Sequence, residues 1–300
     1  MYRRRFLEIS GAFAAGALLP LNAADTPDIK FPANPRERLA VASYPFRSVL
    51  NLKTGTIPLV DFPKMIADRY GVKGIEPLDG HFLSTETAYL ETFRKAVDKA
   101  GSRVVNIAVG RLGGSFYNLD AEVRAKVVAN AKLWVDVAAA IGSPSIRTHI
   151  AGASTPPDVD LSADSLSRVA DYAATKRVVV HLENDAPKTE EAFFLVDVLA
   201  KAKHPFLRAL PDFCNSMLLE RGEDYNYKAM TELFKHAYGI AHGKDSEQDG
   251  KKFFRIDLAK TFAIAKTAGY RGYFSMEFDA EGDPFAPTQG LIDASLKALS

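Results

Sequence analysis

The chain has 300 residues, 47% of them hydrophobic, enough to bury a large core as one α/β barrel or two smaller domains. Lys and Arg number 38 against 37 for Asp and Glu, which excludes the strong positive field that binding a phosphate backbone demands; nucleic acid is not an expected partner. The single cysteine, Cys214, closes no intrachain disulfide, so stability must come from packing.

In chain order the first feature is residues 1–24, where Arg3, Arg4, Arg5, Phe6 and Leu7 precede a weakly apolar run rich in Ala and Gly. From Ile9 to Leu21 that run falls short of the ~20 residues that cross a bilayer, so no stable membrane span is expected in the mature form. The string resembles the twin-arginine export signature R-R-x-F-L, and Ala23 and Ala24 offer small residues for cleavage. That resemblance implies a leader over 1–24 and a periplasmic destination reached by an already folded protein; a basic frayed terminus or a retained anchor is the competing reading. Loss of the leader takes the formal net charge from +1 to −1.

From residue 36 onward, short apolar runs alternate with helical periodicity. Strands are predicted at 39–44, 72–76, 103–109, 145–150, 177–183, 206–212, 239–245 and 272–278. In the longest intervening segment, 120–142, Val123, Val127, Val128, Ala131, Val135 and Ala138 fall on one helical face. Gly71, Gly101, Gly142 and Gly269 each follow a helical run, the place of a left-handed cap. Eight strand–helix pairs imply a parallel sheet covered by helices, closed as a (β/α)8 TIM barrel in a single domain over 36–300. The first strand runs into Tyr44-Pro45-Phe46 rather than G-x-G-x-x-G, which removes the main support for a dinucleotide-binding fold.

In such a barrel the C-terminal strand ends share one mouth. Strands five to eight deliver Glu183, Asp212, His242 and Glu277 there, one βα unit apart. Three carboxylates and an imidazole at one point repel and desolvate one another, and a divalent cation resolves that conflict. Singly, each residue has a plainer use as a cap, a core histidine or an ion-pair partner; at the same end of four consecutive strands they read as a metal site. Carboxylates suit Mn2+ or Mg2+ and the imidazole admits Zn2+, Co2+ or Fe2+, with Mn2+ the first choice. Lys244, two residues beyond His242, points to the same side as an oxyanion partner or pairs with Asp245. His149 and Arg147 on strand four are candidates for binding substrate hydroxyls, with a structural salt bridge the alternative for Arg147. Glu76, closing strand two, is a candidate sugar contact, and His181, with the parity of Glu183, points inward as packing. Among the aromatics Phe46, Phe116, Tyr117, Phe213 and Trp134, packing is the commoner use. Phe46 is the one chosen as a rim contact.

The strings "VVVHLEND", "LPDFCN", "AHGKD" and "GYFSMEFDAEGDP" resemble the strand ends of the xylose isomerase-like barrel superfamily of sugar isomerases and epimerases, over nearly all of 36–300. The resemblance implies a Glu, Asp, His, Glu metal site at Glu183, Asp212, His242 and Glu277. It also implies proton transfer next to a carbonyl through an enediolate-like intermediate, with Glu183 and Glu277 serving as both ligands and acid–base pair on a small sugar or keto sugar. A homo-oligomer is an open possibility. Asp212 is followed by Phe213, Cys214 and Asn215, so the D-x-x-H of ketose epimerases is here D-x-x-N, closer to dehydratase-like members. A metal-dependent lyase acting on keto sugars or 3-keto glycosides is therefore the alternative, and a non-catalytic, exported sugar-binding barrel the third reading. With only six histidines and Asn215 where a zinc histidine would stand, the nuclease branch is set aside. A reporter fused behind residues 1–30 should be exported in a host with a twin-arginine pathway and retained when Arg3, Arg4 and Arg5 are changed to Lys; a wild-type fusion that stays in the cytoplasm would remove the leader.

Overall fold

The computed structural model describes residues 26–110, 112–150, 156–280 and 282–300; the leader predicted over 1–24 lies outside them. Eight helices and eleven strands alternate along the described residues, beginning with β1 (Leu39–Ala42), α1 (Phe62–Tyr70), β2 (Gly74–Glu76) and α2 (Thr87–Lys99). The third stave is split into β3 (Arg103–Val104) and β4 (Ile107–Val109), and α3 (Ala121–Ile141), β5 (Ser145–Thr148), α4 (Val159–Thr175) and β6 (Val179–Glu183) follow. Then come α5 (Ala192–Ala202), β7 (Leu207–Leu210), α6 (Glu223–Phe234) and β8 (Ile240–Gly243). A hairpin of β9 (Ser246–Asp249) and β10 (Lys252–Arg255) precedes α7 (Leu258–Thr267), β11 (Tyr273–Met276) and α8 (Phe285–Leu299).

Hydrogen-bonded ladders give the orders β3-β2-β1-β11-β8 and β4-β5-β6-β7. All pairs in them are parallel, as expected where each connection is a covering helix. Bridges Leu78 to Ala108, Ala209 to Ala237 and Asp212 to His242 join the two arcs on both sides and close an eight-stave barrel. The third stave breaks at Val105 and Asn106. There the buried Asn106 amide donates to Glu76 Oε1 at 2.7 Å and accepts from Ser145 Oγ at 2.7 Å, tying staves two, three and four together.

Every predicted strand is present, most ending a few residues earlier than the apolar run suggests, because residues such as Asp212, Lys244 and Glu277 turn from the ladder to the mouth. Gly71, Gly101, Gly142 and Gly269 all have positive φ, the conformation a left-handed cap requires. The β9–β10 hairpin was not anticipated. It is antiparallel with Asp249 opposite Lys252, and its tight turn begins at Gly250 with φ 58°, so the signal was the Asp-Gly pair. At the opposite end, Ile29 and Phe31 pack on Ala40, Val105, Leu210, Ile240 and Tyr273 and close the floor. No helix among the described residues is long and apolar enough to cross a membrane.

The aromatics are structural. Phe213 is buried against Phe234, Phe262 and Phe274 at 5.2–6.1 Å, Phe116 and Tyr117 are fully buried, and Trp134 is half-buried with its ring 5.5 Å from Phe82. Phe46 corrects the expectation of a rim contact: it is fully buried, edge-on to Phe62 at 5.7 Å and to Phe285 at 5.2 Å. Following strand one, its ring turns outward to the helix layer rather than up to the mouth. Phe46→Ala should therefore lower unfolding free energy by about 3–5 kcal/mol in urea titration, as for a core aromatic; a change under about 0.5 kcal/mol, typical of a surface site, would return it to the rim.

Candidate metal centre

The Val178–Val179–Val180 run is buried on both faces as a central parallel strand, and β6 ends at Glu183. Neighbouring staves bring their acids to the same height through backbone bonds. His242 N–H donates to Pro211 O at 3.0 Å, Phe213 N–H to His242 O at 3.3 Å, and Glu277 N–H to Gly243 O at 3.1 Å. Glu183, Asp212, His242 and Glu277 are all buried, and one ligand atom from each lies within 4.8 Å of all the others.

His242 is the hub. Its Nδ1 lies 2.8 Å from Glu183 Oε1, 3.0 Å from Glu277 Oε2 and 3.8 Å from Asp212 Oδ2. On the far side Nε2 faces Glu76 Oε2 at 3.0 Å, and Glu76 in turn accepts from Asn106. Glu76, expected to touch sugar, instead sits behind the ring, where it receives the Nε2 proton and turns Nδ1 toward the acids. A carboxylate behind a histidine fixes the ring for metal binding in this way. Burial disfavours the imidazolium, yet Glu183, Glu277 and Glu76 together raise the His242 pKa well above its ordinary value.

Asp212 is aligned from behind. Its Oδ1 accepts from Cys214 N–H at 2.9 Å and Asn215 N–H at 2.8 Å, while its backbone is clamped on both sides by the Asn184 amide at 2.8 and 3.1 Å. Its Oδ2 is fully buried and has no hydrogen-bond partner. An orphaned carboxylate oxygen at a point where three other ligand atoms gather is what a cation site offers, so the donor set fits a divalent ion. Burial pushes the Asp212 carboxyl up to about 8, with Glu183 and Glu277 adding to the shift against the opposing Lys244. Burial opposes the charge of Glu183 and Glu277 too, but His242 holds both below the usual carboxylate range, helped at Glu183 by Arg147.

Beside this cluster lies a cavity of about 140 Å3 lined by Tyr44, Leu78, Arg147, His149, Glu183, Asp185, Asn215, Lys244, Glu277 and Asp279. Arg147 is buried, with Nε 2.9 Å from Glu183 Oε2. Lys244 is no solvent lysine and does not pair with Asp245. Its buried ammonium donates to Asn215 Oδ1 at 2.8 Å and lies 2.5 Å from Glu247, 3.7 Å from Asp279 and 3.8 Å from Asp212. Burial disfavours its charge, but these carboxylates raise its pKa well above the ordinary lysine value. His181, expected to pack, is fully buried one layer down against Gly239, and burial pushes it to about 3, so it is neutral. Asn184, Glu190 and Asn106 were not foreseen as parts of the site. Asn184 stood inside "VVVHLEND" itself, whereas Glu190 lies outside any strand and carried no positional signal.

The description "Xylose isomerase-like TIM barrel" belongs to a family model that matches residues 66–300. Comparison with curated protein sequences gives no match. Among solved structures, a xylose isomerase-like TIM barrel protein from Mycobacterium smegmatis in complex with magnesium superposes with TM-score 0.67 at 17% identity, covering 87% of this chain and 97% of the other. The 3-keto-D-glucoside 4-epimerase of E. coli gives 0.64 at 16%, covering 85% and 97%. D-allulose 3-epimerase from Methylomonas sp. in complex with D-allulose gives 0.66 at 18%, covering 90% and 97%. At these identities the structural likeness concerns the fold; together with the family match over most of its length, it places the chain in the xylose isomerase-like TIM barrel family.

Proposed function

We propose that this protein is a divalent-metal-dependent sugar isomerase or epimerase that moves a proton next to the carbonyl of a keto sugar. The observation that carries the reading is the convergence of Glu183, Asp212 Oδ2, His242 Nδ1 and Glu277 within reach of one ion, beside a polar cavity. These four would hold the ion, with Mn2+ the first candidate. When bound, such an ion supplies Lewis-acid polarisation of a substrate carbonyl. The family and the sugar epimerases among its structural neighbours support the same class of reaction.

The chain's own groups do the rest. Glu183 is held by Arg147, His242 and, more loosely at 3.5 Å, Asn215. Both acids line the cavity and meet His242, but Arg147 ties down Glu183, so Glu277 is the better placed to take a carbon-bound proton. Glu183, which meets the same nitrogen of His242, serves as its counterpart for return of a proton. Lys244 and Arg147 present fixed positive charge to the negative oxygen that develops, and their burial keeps water from screening it. Export through a leader over residues 1–24 belongs to the same proposal.

Two measurements test this reading. With Mn2+ and a panel of keto sugars in D2O, wild-type protein should exchange the proton next to the carbonyl, and Glu277→Gln should lose at least about 1,000-fold of that exchange with its unfolding midpoint unchanged; full activity in the variant would remove Glu277 from the chemistry. Metal binding needs Asp212 as carboxylate and His242 neutral at Nδ1, whereas both hold protons near neutral pH in the metal-free protein. Mn2+ affinity should therefore rise as pH increases through about 8, and calorimetry in buffers of differing ionisation enthalpy at pH 7 should show release of about one to two protons. Binding without proton release would contradict the assignment of these two ligands.

A further inference from the structure

The mouth cavity has a neighbour. Its own volume, about 140 Å3, falls below the roughly 300–1,000 Å3 of most small-molecule pockets. Tyr44 and Asp279 line it and also line an adjoining outer cavity of about 260 Å3, together with Arg47, Gln248 and Gly250. Gln248 and Gly250 come from the β9–β10 hairpin, the element that interrupts the strand–helix rhythm. That hairpin is held at its inner end. Ser246 and Glu247 are buried, and Glu247 lies 2.5 Å from the Lys244 ammonium, so the wall that Gln248 presents is fixed to the lysine that stands at the candidate metal centre. Asp279 spans the two spaces: its Oδ1 lies 3.3 Å from Arg47 in the outer one and its Oδ2 lies 3.7 Å from Lys244 in the inner one.

The outer lining selects among occupants. Arg47 and Asp279 offset each other's charge, so the space presents no net charge to a phosphate or carboxylate. Arg47 also stacks on the Tyr44 ring, 4.4 Å from its centroid, so the aromatic surface there is already engaged. What is left is hydrogen-bonding capacity. The Gln248 amide uses one N–H on Gly250 O at 2.9 Å and keeps its oxygen and its second N–H, and the guanidinium of Arg47 has more N–H groups than its bonds to Tyr44 O and Asp279 consume. Donors and acceptors without net charge match adjacent hydroxyl groups, which a second sugar ring presents.

We propose that the outer cavity is a subsite for a second sugar ring, so that the substrate is a keto disaccharide whose carbonyl-bearing ring occupies the mouth cavity, with Gln248 and Arg47 as specificity-determining residues. This rests on the proton transfer proposed above and names the size of molecule it acts on. The second ring takes no part in the chemistry, so its contacts are the same before and during proton transfer. They act on KM, and through it on kcat/KM, rather than on kcat.

The test follows exchange of the protons next to the carbonyl in D2O by NMR, with the Mn2+-loaded full chain and sugars that differ only by a second ring. D-fructose is set against turanose, maltulose and isomaltulose, which carry a glucose on O3, O4 and O6, and 3-keto-D-glucose against 3-keto-cellobiose. In at least one pair wild type should favour the disaccharide in kcat/KM by at least about tenfold, the worth of one or two hydrogen bonds. Gln248→Trp fills the outer cavity from an exposed strand position and leaves the buried end of the hairpin in place. It should bring that ratio down to about one or below, through a higher KM for the disaccharide; Gln248→Ala should move it the same way by less. Ratios near one for every wild-type pair, or a ratio unmoved in Gln248→Trp, would overturn the second-ring subsite while leaving proton transfer standing. Absence of exchange with every sugar would overturn both.

Discussion

The structure turns on one constraint: three carboxylates and an imidazole are buried at one point, where none can keep its solution charge alone. Burial of like charges costs more than packing returns unless something compensates. The protein surrounds the cluster with Arg147 and Lys244, both buried, and sets Glu76 behind His242. These groups hold the acids in register but leave Asp212 Oδ2 without a donor. The valine run of β6 has its reason in that outcome, because only a strand anchored on both faces can hold Glu183 against its repulsive neighbours.

Position within the barrel divides the labour. His181, one layer down in the ladder, is packed and neutral, while Glu183 and His242 at the upper ends of their strands, and Asp212, Lys244 and Glu277 just beyond theirs, gather at the mouth. The backbone bonds from Pro211, His242 and Gly243 fix the height of adjacent acids, so the candidate metal centre is a property of the ladder more than of its loops. By contrast, Glu190 reaches His149 from outside any strand and depends on two backbone amides for its place. The cavity is thereby lined both by the charged cluster and by His149, with Arg147 joining the two.

Much of this was legible in the amino-acid sequence, for a physical reason. Strands buried on both faces read as apolar runs, and the ligand-type residue near the C-terminal end of each predicted strand falls at the barrel mouth, so Glu183, Asp212, His242 and Glu277 could be aligned without coordinates. What could not be read were side-chain directions that depend on neighbours in space. Glu76 had the right strand position for a sugar contact, but the third stave's break at Asn106 turned it behind His242. Phe46 stood at the end of strand one, yet Phe62 and Phe285, distant in sequence, gave it a place in the core. Glu190 had neither periodicity nor a strand end to mark it. The β9–β10 hairpin shows the opposite failure, since its Asp-Gly turn was in plain view and the βα rhythm masked it.

The central claim is that one cation belongs among four side chains from four staves. The most direct measurement is the metal content of protein equilibrated with Mn2+ and freed of excess, for wild type and for Asp212→Ala, each checked for folding by circular dichroism. The account predicts about one ion per chain in the wild type and less than about one tenth in the folded variant. Equal metal content in the two, or none in the wild type, would contradict it.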